Sequence, residues 1–106
     1  MRTIAHWVDG KYYEGNPIGR FAVENPGTGE VEAELLQASD ADLDHAVEVA
    51  RRAQKEWAKV SLAKRTAIMF RMRQLVLDHS DEMAKMIVAE HGKNYSDAIG
   101  EIQRGR

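Results

Sequence analysis

Four histidines, His6, His45, His79 and His91, are the first residues to test for chemistry, because imidazole binds zinc and moves protons near neutral pH. None has a second histidine four residues away on a predicted helix, the spacing a helical zinc motif needs. Asp78-His79 with Asp81-Glu82 gathers donors suited to a divalent ion. The cluster falls at a predicted helix junction, which is usually just capped and acidic, and no metal ligand is assigned. Gly27-Thr28-Gly29 is the only G-x-G, and Glu30-Val31-Glu32 follows it. A dinucleotide loop needs a third glycine and a helix amino terminus for the pyrophosphate, so the triplet reads as a turn and no cofactor-binding residue is assigned.

Other local patterns are weaker. Asn94-Tyr95-Ser96 matches a glycosylation sequon but no secretory signal precedes it. Arg51-Arg52, with Glu48 and Glu56 nearby, and Lys64-Arg65 read as helix surface. The chain has no cysteine, which removes disulfides, thiolate metal sites and any cysteine nucleophile. No catalytic residue is assigned.

The elements that carry these residues fall into two stretches, with strands expected over 1–38 and helices over 39–106. Ile4 to Val8 and Lys11 to Glu14 flank Asp9-Gly10, a dipeptide suited to a type I′ hairpin turn. Phe21 and Val23 alternate with polar neighbours, as do Val31, Ala33 and Leu35, and Asn25-Pro26-Gly27-Thr28-Gly29 links them in a second, looser hairpin. After Ser39 the period lengthens to that of a helix. Ser39 with Asp42 forms a capping-box pattern for helix one, whose inner face is Leu43, Ala46, Val47, Ala50 and Trp57. Helix two spans about 62 to 79 with Leu62, Ile68, Met69, Met72, Leu75 and Val76 inward. Ser80 is expected to cap helix three, with Met83, Met86, Ile87 and Val88 inside and Gly92 as a left-handed stop. Asn94 with Asp97 caps helix four, on which Tyr95, Ala98, Ile99 and Ile102 share a face. That helix reaches Arg106 with no stop beyond Gly105, the pattern expected of a segment of something longer.

At 106 residues, 43% hydrophobic and 30% charged, the chain has the balance of one folded domain or part of one. Its formal net charge of -2 provides no basic field for nucleic acid. No run approaches the roughly 20 apolar residues of a membrane span, and the expected location is cytoplasmic. The fold class is α+β, amino-terminal β-hairpins followed by about four α-helices.

Taken in order, Trp7-Val8-Asp9-Gly10-Lys11, then Glu24 through Val31, then Asp44 through Ala50 with Trp57, resemble the amino-terminal portion of the aldehyde dehydrogenase superfamily. Ser61 through Phe70, Ala89-Glu90-His91-Gly92-Lys93 and Gly100 through Gly105 are similar to its CoA-acylating, methylmalonate-semialdehyde branch. The resemblance implies the start of the cofactor-binding domain of an α/β enzyme several times longer. That enzyme would be a homo-oligomer oxidising malonate or methylmalonate semialdehyde with NAD to acetyl-CoA or propionyl-CoA. In the family a cysteine attacks the aldehyde, hydride passes to NAD, and the thioester is handed to CoA. No cysteine is present here and the family's nucleotide-binding strands lie beyond the position of Arg106, so the resemblance implies that this chain alone is inactive and binds no cofactor.

The same resemblance implies one site residue, Arg104 of the Gly-Glu-x-x-Arg-Gly motif, as a clamp on the substrate carboxylate. A planar guanidinium suits that role because it can donate two charge-assisted hydrogen bonds. Two other readings stand beside this one: another NAD(P)-dependent branch yielding a free acid, and a non-catalytic helical interaction module.

Overall fold

A computed structural model describes residues 1–106, with five strands followed by four helices. They are β1 (Arg2–Ile4), β2 (His6–Val8), β3 (Lys11–Tyr13), β4 (Gly19–Glu24) and β5 (Val31–Gln37), then α1 (Asp40–Trp57), α2 (Leu62–Asp78), α3 (Ser80–His91) and α4 (Tyr95–Arg104). The α+β expectation therefore holds, and strands give way to helices at 38–39. Packing divides the chain elsewhere: Met1–Glu24 with Val31–Val60 forms one compact unit, and Asn25–Glu30 with Ser61–Arg106 forms a second.

In the first unit β2 and β3 pair antiparallel across Asp9 (φ 57°) and Gly10 (φ 73°), the two left-handed residues a type I′ turn requires. Trp7 and Tyr12 face each other across this ribbon, edge to face with ring centroids 5.1 Å apart. The expected strand from Ile4 to Val8 is broken in two. Its first part, β1, leaves the hairpin and pairs parallel with β5, Ile4 opposite Leu35, while β4 pairs antiparallel on the other side of β5. β5 is thus the central strand of a three-stranded sheet, and it is the strand that carries buried side chains, Ala33 and Leu36. Leu35, expected inward with Ala33, is exposed, as are Phe21 and Val31.

Ser39 begins α1 with both halves of a capping box: its hydroxyl accepts from the Asp42 amide at 3.2 Å, and the Asp42 carboxylate accepts from the Ser39 amide at 3.0 Å. On the helix, however, the buried residue is Asp42, while Leu43, Val47, Ala50 and Trp57 of the expected inner face are exposed and Ala46 is half-buried. Periodicity identifies an apolar face, but burial requires an element to lie over it.

In the second unit residues 25–30 form a closed turn, with Thr28 and Gly29 amides donating to the Asn25 carbonyl and Gly29 at φ 76°. Ser61 caps α2, which buries none of its residues; Val76 is half-buried, and Ile68, Met69, Met72 and Leu75 are exposed. The core lies between α3 and α4, where Ala84, Ala98 and Ile102 are buried and Val76, Ile87, Val88 and Ile99 pack around them. Small side chains let the two helices approach closely. Ala84, not Met83 or Met86, is the buried residue of α3. Ser80 does not cap that helix: it is the first helical residue, and its hydroxyl donates back to the Val76 carbonyl at 2.8 Å. Gly92 ends α3 at φ 85°, and a Cβ there would sit 2.9 Å from Pro26 Cγ, so both backbone and space demand glycine.

Candidate functional site

Asn94 sets the direction of α4, the helix that carries Arg104. Its side-chain carbonyl accepts from the Asp97 amide at 3.0 Å and from the Ser96 hydroxyl at 2.8 Å, and its amide donates to the Asp97 carboxylate. The sequon residues are therefore a helix cap. One residue on, the Tyr95 hydroxyl donates to Asp81 of α3 at 2.6 Å, and Lys85 pairs with the same carboxylate at 2.8 Å. Those two partners, Lys85 ahead of Tyr95, hold the Asp81 carboxyl below its usual range, and the carboxylate in turn raises both the Lys85 ammonium and the Tyr95 phenol.

A second clasp follows. Lys93, between α3 and α4, donates to Glu101 of α4, and that hydrogen bond is the main cause of a lowered Glu101 pKa, with smaller contributions from His91 and Arg104. Arg104 occupies the last turn of α4, one turn beyond Glu101, exposed, with the helix dipole favouring its charge there. Two polar clasps and the Ala84–Ala98–Ile102 core thus fix the helix whose end presents this guanidinium. Chemically the arrangement offers one fork of donors to a planar anion.

The other residues singled out in the sequence are dispersed. His79 Nδ1 lies 3.0 Å from Glu82, Asp78 accepts from Gln74, and Asp81 is taken by Tyr95 and Lys85, so the acids at that junction serve separate partners. His45 stacks obliquely on Tyr13, centroids 5.0 Å apart, and His6 stands in β2. Gly27-Thr28-Gly29 leads into β5 and opens no helix, a geometry that does not fit a dinucleotide pyrophosphate. The clasps themselves have little local signature in the sequence. Asp81 and Lys85 at i, i+4 were a readable signal, whereas Lys93 and Glu101 straddle a helix cap that only the fold brings together.

In the first unit Asp42 is the equivalent concentration of polar contacts. Buried to 3% exposure, its carboxylate accepts from the amides of Ser39 and Asn16 and from the Tyr13 hydroxyl. The Ser39 amide, then that of Asn16, depress its pKa, while burial and the carboxylate raise that of Tyr13. Both carboxylate oxygens accept hydrogen bonds from separate stretches of the chain, which marks a structural hub.

The aldehyde dehydrogenase family model matches residues 12–106. Malonate-semialdehyde dehydrogenase 2 from Oceanobacillus iheyensis is 40% identical over 99% of this chain and 22% of its own length. Among solved structures, a Sinorhizobium meliloti 1021 protein assigned as a methylmalonate-semialdehyde dehydrogenase and complexed with NAD superposes with a TM-score of 0.95 at 41% identity, over 99% of this chain and 21% of that one. An NAD-dependent benzaldehyde dehydrogenase from Corynebacterium glutamicum gives 0.88 at 38% identity, over 93% and 22%. The chain spans about a fifth of the length of the relatives it matches.

Proposed function

Since the chain belongs to the aldehyde dehydrogenase family, we propose that it forms the amino-terminal part of an NAD-dependent, CoA-acylating malonate or methylmalonate semialdehyde dehydrogenase. The observation that carries this reading is 40% identity to a malonate-semialdehyde dehydrogenase across nearly the whole chain. NAD supplies the hydride acceptor and CoA the acyl acceptor in such an enzyme. The glycine turn of this segment leads into β5 and does not fit a pyrophosphate. What the segment contributes is a capped, clasped helix that presents Arg104 to the substrate carboxylate. Two charge-assisted hydrogen bonds from one planar group orient a small semialdehyde as well as binding it.

The likeness to a benzaldehyde dehydrogenase favours a second reading, a branch that releases a free acid. Product analysis separates the two. The full-length enzyme, given malonate semialdehyde, NAD and CoA, should form acetyl-CoA and NADH with one carbon leaving as carbon dioxide. A free acid formed at the same rate with and without CoA would reject the acylating branch.

A further inference from the structure

We propose that Lys93 keeps Arg104 available for a carboxylate ligand by occupying the competing carboxylate of Glu101, which makes Lys93 a positioning residue; the proposal rests on the reading of Arg104 given above. Glu101 and Arg104 are three residues apart on α4, with the acid on the amino-terminal side, the order in which such pairs form on helices. Left alone, Glu101 would be the nearest carboxylate for the Arg104 fork. In this structure it goes to Lys93 instead, and Arg104 makes no ion pair.

Two features favour that choice. The Lys93 side chain is only 20% exposed while that of Glu101 is 43% exposed, so the lysine stem packs against the protein and holds its ammonium beside Glu101. The connection between α3 and α4 is also short and fixed by Gly92 and the Asn94 cap, so Lys93 gives up little freedom in reaching Glu101. His91 and Arg104 both attract the Glu101 carboxylate at longer range without binding it.

Removing Lys93 should therefore release a carboxylate one turn from the clamp, where it fills the fork and repels an incoming anion. In the full-length enzyme, Lys93→Met should raise KM for malonate semialdehyde roughly two- to fivefold, the range an exposed ion pair supports. KM for propanal, which has no carboxylate, should not follow. Adding Glu101→Gln to Lys93→Met should restore KM, because glutamine carries no charge to draw Arg104. A double variant as impaired as Lys93→Met, or an equal loss on both aldehydes, would reduce Lys93 to a stability role and overturn the proposal.

The competition can also be read in this chain without substrate. Carboxyl-carbon NMR titration should find the Glu101 pKa held low in the native chain, still low in Lys93→Met as Arg104 takes over, and normal only in Lys93→Met with Arg104→Ala. A normal value in Lys93→Met alone would defeat the proposal whatever Arg104 does for substrate. Expected titrations with Arg104→Ala equally harmful to both aldehydes would instead reject the clamp reading on which the proposal rests.

Discussion

The two units solve the same problem with opposite materials. In the first, a buried carboxylate gathers the end of a hairpin, a loop amide and a helix cap, and the large apolar side chains around it stay mostly exposed. In the second, no charged side chain is buried; Ala84, Ala98 and Ile102 make the contact, and ion pairs and hydrogen bonds lie at its surface. A buried acceptor is harmed by taking something away, since its donors then go unsatisfied. A contact between alanines is harmed by adding something, since nothing can give way.

Gly15 offers the sharpest way to break the first unit. It sits at φ 61°, and a Cβ there would lie 2.2 Å from Asp42 Oδ1. Gly15→Val should cost about 3 kcal/mol, combining left-handed strain with loss of the capping carboxylate. Gly29→Ala is the control, because Gly29 has a similar φ of 76° and open space around it. It should cost about 1 kcal/mol, from backbone strain alone. Urea unfolding midpoints check both, and equal losses would mean that Asp42 plays no part.

In the second unit Ala98→Leu should cost about 2 kcal/mol by overpacking. Tyr95→Phe should cost much less, because the lost hydrogen bond is exposed. If the order of these two were reversed, the surface clasp rather than the alanine contact would hold α4.

Titration sharpens the same comparison. Asp42, Asp81 and Glu101 all have lowered pKa values in the folded chain. Each therefore contributes stability above its unfolded pKa, about 4, and that contribution is lost as pH falls through the folded value. Lys85 and Tyr95 are raised, so their contribution is complete below their unfolded values, about 10, and is lost as pH rises through the folded ones. Melting temperature should hold level between these edges. Asp42→Asn should lower the plateau and remove its share of the acid slope, since asparagine does not ionise and points an amide donor at groups that need an acceptor.

Much of this was legible in the chain before any fold was at hand. Ser39, Asn94, Gly92 and Asp9-Gly10 act within a few residues of themselves, so their capping and turn chemistry is local and could be read directly. Burial was less legible. Leu43, Met69 and Met72 lie on apolar stripes yet stay exposed, because a stripe does not reveal whether anything covers it. The parallel pairing of β1 with β5 joins residues about thirty apart, and no local signal announces it. The capping role of Asp42 is local, but its bonds to Tyr13 and Asn16 depend on the hairpin folding back onto α1. At the candidate site the motif supplied Arg104, while Lys93 and Glu101 became a pair only across the α3–α4 corner.

We propose that Arg104 holds the carboxylate of the semialdehyde. The most direct test of this is kcat/KM of the full-length enzyme and its Arg104→Ala variant on two aldehydes, malonate semialdehyde and propanal. Loss of the bidentate bond should cost about 2 to 4 kcal/mol on the semialdehyde and almost nothing on propanal. Lysine at the same position should recover only part of the loss, since a point charge cannot reproduce the fork. Equal losses on the two aldehydes, or none on either, would contradict the account and leave Arg104 a surface residue at the end of α4.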